Sequence, residues 1–126
     1  MWNALRKGVP FAVVSMLLAC AQPLNTSVYD GVYVWGPEVE IFSSCATGKQ
    51  WWVRTSDDVR RQLRAEHDRV AVAPYEGIYA RVSGAYDGPV REELDGAFAR
   101  QYEGAFKIAD VLLARKRAAS DCKERH

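Results

Sequence analysis

From Val28 onward the chain alternates between short apolar stretches and turn residues. VYDGVYVWG, Val28 to Gly36, is rich in Val, Tyr and Trp, and reads as a first strand with Gly31 marking a bulge. Gly36-Pro37 breaks it. Glu38, Val39, Glu40 and Ile41 then alternate polar and apolar with a period of two, which predicts a second strand through Ser44 with one face in the core. Cys45 to Gly48 is a turn, and Lys49 to Arg54 is a third strand. Neighbours on a strand point to opposite faces, so one of Trp51 and Trp52 belongs in the core and the other outside.

The period then changes. Thr55-Ser56-Asp57-Asp58 is a Thr-x-x-Asp helix start with two carboxylates in the first turn, where the helix dipole favours them. Val59, Leu63 and Val70 form a narrow apolar stripe, while Asp57 with Arg61 and Arg64 with Asp68 stand four apart on the wet side. Pro74 sets the far limit of this helix, and His67 is placed on its solvated face. Pro74 to Gly84 is a fourth strand with Gly77 at mid-length, Ala85 to Arg100 holds a turn and a short helix, and Tyr102 to Lys116 is a fifth strand with Gly104 near its start. Three strands, a helix and two more strands predict a mainly β chain: a five-stranded OB-fold Greek-key barrel with one helix between strands three and four. Glycines inside strands one, four and five suit a small barrel that must bend its strands to close. The competing architecture is another small antiparallel barrel or sandwich.

What precedes this pattern is different in kind. Arg6 and Lys7 are followed by an apolar run from Val9 to Ala19, and as a helix those eleven residues rise about 16 Å, too little to span a bilayer. The segment 1–19 therefore reads as a secretory signal peptide. It ends Leu17-Leu18-Ala19-Cys20, which resembles the bacterial lipobox, in which the cysteine is acylated and the leader is cut before it. That resemblance makes Cys20 a lipidation site, the segment 20–27 a lipidated tether, and the segment 28–126 the folded domain with its C-terminal tail. Acyl chains at roughly 0.8 kcal/mol per buried methylene make such an anchor permanent. Ala21 and Gln22 follow the cysteine, where an Asp would imply inner-membrane retention, so the expected address is the periplasmic face of the outer membrane.

Charge and cysteine usage narrow the function classes. The whole chain carries +1, and losing Arg6 and Lys7 makes it −1, which gives no field for a polyanion and argues against nucleic acid as a partner. The late basic residues Arg115, Lys116, Arg117, Lys123 and Arg125 read as a solvated tail. With Cys20 acylated, Cys45 and Cys122 are the remaining thiols in an oxidising compartment, and two cysteines allow one intramolecular bridge. Such a bridge would tie the tail to the turn between strands two and three and stabilise the fold by about 4.5 kcal/mol in the chain-entropy estimate. A catalytic Cys45 needs a base, and His67 and His126 stand in no recognisable pattern with it. Gly48-Lys49 lacks the rest of a phosphate loop, since Ser43 and Gln50 stand where Gly and Ser or Thr are required. No metal-ligand spacing is present, and adjacent acids at Asp57-Asp58 and Glu92-Glu93 do not face each other as catalytic pairs do. No catalytic residue, metal site or cofactor other than the covalent lipid is expected, and the chain is not expected to be an enzyme.

The stretch VYVWGPEVEIFSSCATGKQWWV, followed by a helix, YEGIYARVSG and a closing YEGAFKI, resembles the C-terminal OB-fold domain of NlpE-type outer-membrane lipoproteins and its stand-alone relatives. The likeness runs from about Tyr29 to Leu113, and its most specific piece is Gly36 through Trp52. It implies that Cys45 and Cys122 match the family's disulfide, and it implies a place in envelope stress or redox signalling. The N-terminal domain and CxxC motif of NlpE have no counterpart in this sequence. The function expected is thus a non-enzymatic envelope binding module whose partner is a protein or glycan, with Trp35, Trp51, Trp52 and Tyr79 as the candidate binding face. A small lipoprotein inhibitor of an enzyme such as lysozyme is the alternative.

Overall fold

The computed structural model describes residues 25–123. The leader, Cys20 and the first part of the tether lie outside the described residues. Five strands, β1 (Ser27–Gly36), β2 (Val39–Ser44), β3 (Gln50–Thr55), β4 (Ile78–Tyr86) and β5 (Ala105–Lys116), close into a barrel in the order β1-β2-β3-β5-β4. Among the described residues, only the β3–β5 pairing is parallel. Helix α1 (Asp57–Val70) joins β3 to β4, and a short helix α2 (Glu92–Asp95) with a 3₁₀ turn (Ala97–Gln101) fills the β4–β5 connection. This is the OB-fold arrangement that the order of elements implied.

Register explains which residues fill the barrel. Tyr33 pairs with Phe42, and Phe42 with Trp51, so these three point inward together and are buried. Phe106 stacks between Phe42 and Trp51, at centroid distances of 5.4 and 4.9 Å. Leu63 of α1 closes the core and is fully buried. β1 begins at Ser27, one residue before the expected domain boundary, and Gly77 and Gly104 lie just before β4 and β5 rather than inside them. The register runs unbroken through Gly31, so the bulge expected there is absent and the glycine instead admits the close approach of the Ser43 carbonyl; the irregularities lie in the β4–β5 ladder, between Arg81 and Val82 and between Ser83 and Gly84.

Three local readings of the helix need correction. Ser56 is the N-cap, accepting from the Val59 amide at 3.2 Å, while the Thr55 hydroxyl donates to the Ile108 carbonyl at 2.7 Å. His67 is buried, because Nε2 meets the Glu76 carbonyl oxygen at 2.7 Å and its ring packs edge-on against Tyr33 and Trp35. Arg61 pairs with Asp58 instead of Asp57, and Arg64 turns away from Asp68 to reach Glu40 across the barrel mouth.

Glu40 holds these parts together. Its carboxylate, 5% exposed, accepts from Tyr33 Oη at 2.6 Å, Arg60 Nε at 3.0 Å and Arg64 Nη2 at 3.1 Å. A buried carboxylate is tolerated only with such donors, and here they come from β1 and α1. Burial and the adjoining Glu40 charge push the Tyr33 phenol well above its ordinary pKa, so it stays a donor.

At the other end of β1, Cys45 and Cys122 are joined by a disulfide across 77 residues. β5 ends opposite Ile78, and β4 and β1 lie between it and β2. The tail therefore straps across the outer face of those two strands to reach Cys45. Arg115 lies over the Tyr79 ring at 4.1 Å and pairs with Asp121 at 2.9 Å, while Arg117 and Cys122 border Val32.

Removing the Glu40 carboxylate leaves Tyr33 without a partner in the core and two guanidinium groups facing each other. Glu40→Ala is expected to lower the unfolding free energy by about 2–4 kcal/mol, and Glu40→Gln by less, in urea titrations. Equal stability of Glu40→Ala and wild type would show that the network contributes nothing.

Candidate binding groove

Two clefts flank Trp52 and share Glu40, Trp52 and Arg64 as lining residues. The first, about 620 Å³, lies between the β1–β2 turn and the end of α1. The second, about 590 Å³, runs beside β3 to the β4–β5 connection. Together they make one groove across β2 and β3, bounded by the loops after β1 and β4. That face is the one OB barrels offer to oligomeric ligands, and each volume is in the range of ligand sites.

The loop after β1 is held in a specific shape. Tyr75 donates its hydroxyl to the Pro37 carbonyl at 2.7 Å and its amide to the Trp35 carbonyl at 3.0 Å. Its ring lies so close that a Cβ on Gly36 would come within 2.6 Å of it, which is why this position is glycine. Glu38 and Tyr75 both sit at positive φ, 66° and 69°. Neither is glycine, and strained backbone of this kind persists only where its surroundings enforce it.

Arg54 fixes the opposite loop. Its Nε and Nη2 donate to the two Asp95 carboxylate oxygens at 2.9 and 2.8 Å, and Nη1 donates to Asp87 Oδ2 at 3.0 Å and to the Asp87 carbonyl at 3.0 Å. The bidentate pair holds the Asp95 carboxyl below its ordinary pKa, with the Arg91 amide adding a further hydrogen bond.

The four aromatics read as a binding face divide into two pairs. Trp35 and Trp52 are half-buried and line the groove. Arg64 stacks over Trp35 with Cζ 4.8 Å from the ring, and the buried Arg64 Nε has no conventional acceptor; Trp52 leans on Tyr102 at 5.8 Å. Trp51 and Tyr79 do not belong to an exposed face, since each is only 6% exposed. Trp51 points into the barrel against Phe106, and Tyr79 points outward but is covered by Arg115 of the strap. Residues the sequence reading passed over complete the groove: Glu40, Arg54, Arg64 and Leu94. The only advance signal was Glu40, an acid at an alternation step beside apolar residues. Among the described residues, no three His, Cys, Asp or Glu side chains gather as metal ligands would.

A closed five-stranded barrel with a helix after the third strand defines an OB-fold domain. The model of the NlpE C-terminal OB domain family matches residues 23–108, and the chain belongs to that family. Among solved structures, the crystal structure of the Cpx pathway activator NlpE from Escherichia coli is similar, with 16% identity and a TM-score of 0.48 over 92% of this chain and 53% of that one. This chain thus spans about half the length of that protein. No curated protein matches it.

Asp30, Asp95 and Asp121 each have a lowered pKa because an arginine, Arg81, Arg54 or Arg115, hydrogen-bonds the ionised form. A depressed acid stabilises the fold above its unfolded pKa of about 3.9 and loses that contribution as pH falls through the folded value. Thermal midpoints should hold down to about pH 4 and fall below it, with a shallower fall in Asp95→Asn. An identical acid profile for Asp95→Asn would deny this pair a role.

Proposed function

We propose that the protein is a lipid-anchored envelope protein, without enzymatic activity, whose OB domain binds an envelope component in the Trp35–Trp52 groove. The observation that carries this is the groove's position. β1 runs from Ser27, beside the tether, to Gly36, at the groove. Ten residues of strand separate the two ends by about 30 Å. An acyl chain on Cys20 would hold the disulfide end near the bilayer and turn the groove outward. Ala21 and Gln22 after that cysteine favour the outer membrane, periplasmic face. Membership of the NlpE C-terminal OB domain family supports a link to envelope stress.

A photoreactive residue replacing Leu94, 56% exposed at the groove, should trap an envelope component in cells, whereas one replacing Leu113, 42% exposed on the outer face of β5, should not. Equal trapping at both positions, or none at Leu94, sinks the groove as the working face. In the same strain, incorporation of radiolabelled palmitate should vanish in Cys20→Ser; persistent labelling would overturn the anchor.

A second reading, redox sensing, is favoured by the strap. The bridge holds the tail beside Tyr79 and Val32, so reduction would release a cover and bare those two side chains. This requires a labile bond. A reduction potential below about −300 mV would mark the bridge as purely structural and end this reading.

A further inference from the structure

We infer that the ligand of the groove is a neutral oligosaccharide, an inference that rests on the groove being the working face. The first observation is how the groove uses its charges. Arg54 is taken up by Asp87 and Asp95, and Arg60 and Arg64 by Glu40. What remains is Glu38 and Asp68 at one end and Lys107 at the other, none with an ion pair among the described residues. With four cations against five acids the lining has no positive field to gather a polyanion or an anionic headgroup.

The second observation is what the paired groups still offer. A guanidinium has five N–H donors, and Arg64 gives Glu40 a single hydrogen bond while its side chain remains 40% exposed. Arg60 likewise gives Glu40 one, through Nε, with its side chain 28% exposed. Arg54, Arg60 and Arg64 face Glu40, Asp87 and Asp95, so across both clefts the paired groups form a fixed array of donors and acceptors whose charges cancel. Sugar hydroxyls both donate and accept, and they satisfy such an array without bringing a charge of their own.

The third observation is the aromatic lining. A pyranose ring has a flat face of C–H groups, which packs on an indole as other apolar groups do. Trp52, next to the inward Trp51, faces outward where the two clefts meet and offers its indole to a sugar ring, whereas Trp35, two positions after the inward Tyr33, faces the barrel mouth beneath Arg64. An apolar peptide fits less well. Interface cores are depleted in charge, and burying the Glu40–Arg64 centre under apolar side chains would leave its remaining donors unpaired.

The test is a titration of the full acylated protein in lipid nanodiscs with chitotetraose, a neutral chain of N-acetylglucosamine units, followed by tryptophan fluorescence. Saturable binding is expected. It should weaken by about tenfold or more in Trp52→Ala and stay within about threefold of wild type in Trp52→Phe, with thermal melts confirming that both fold. Since Trp52→Ala could unfold, a second measurement keeps the wild-type core: chitotetraose should compete away the photo-crosslink formed at position 94. No saturable binding, or binding indifferent to Trp52→Ala, overturns the inference. A crosslink at position 94 that goes to a protein and survives excess chitotetraose also overturns it, yet leaves the groove as the working face. Loss of the crosslink itself would fail the broader reading instead.

Discussion

The Glu40 carboxylate is the interaction on which the groove and the barrel mouth both depend. A charge buried this deeply must be met by donors, and the chain meets it from two directions: Tyr33 from inside the barrel and Arg60 with Arg64 from the helix. This fixes the seating of α1 on the barrel. It also places Arg64 over Trp35, so that one network sets both the helix position and the groove's aromatic wall. Arg54 performs the corresponding task for the loop after β4, and the two arginine systems meet on either side of Trp52.

The ends of the barrel divide the work. At the Ser27 end of β1, the Cys45–Cys122 bridge closes a span of 77 residues and holds the strap across β4 and β1. For so small a core, a covalent closure matters more than it would in a large enzyme. At the far end nothing covalent is used. The loop after β1 is shaped by Tyr75, by the close approach at Gly36, and by two residues held at positive φ. Among the described residues, non-glycine positive φ occurs at both ends, at Glu38 and Tyr75 beside the groove and at Cys122 in the strap.

Much of the fold was legible in the sequence because the periodicities were clean. The alternation Glu38 to Ile41, the paired tryptophans and the helix start gave β2, β3 and α1 nearly where they lie. The rule of opposite faces required one of Trp51 and Trp52 to be core, but local pattern could not choose between them; pairing with Phe42 made the choice. Tyr79 was misread for a different reason. Its outward direction follows from the alternation, yet its cover comes from Arg115, 36 positions later in the chain and visible only once the strap is seen to cross β4. His67 and Arg64 were placed on the wet side because a helical wheel treats polar residues as solvated, whereas here the barrel mouth supplies polar partners in Glu76 and Glu40. Such long-range pairings of polar groups leave no periodic trace in a single sequence.

The central claim, that β2, β3 and their flanking loops form the working face, is open to one direct measurement. Hydrogen exchange can be compared between the protein in isolated envelopes and the purified protein in detergent. Slower exchange in the envelope confined to Gly36–Ser44, Gln50–Thr55 and Asp87–Asp95 is the result expected. Protection confined instead to the strap, from Arg115 to Cys122, with the groove unchanged, would contradict it.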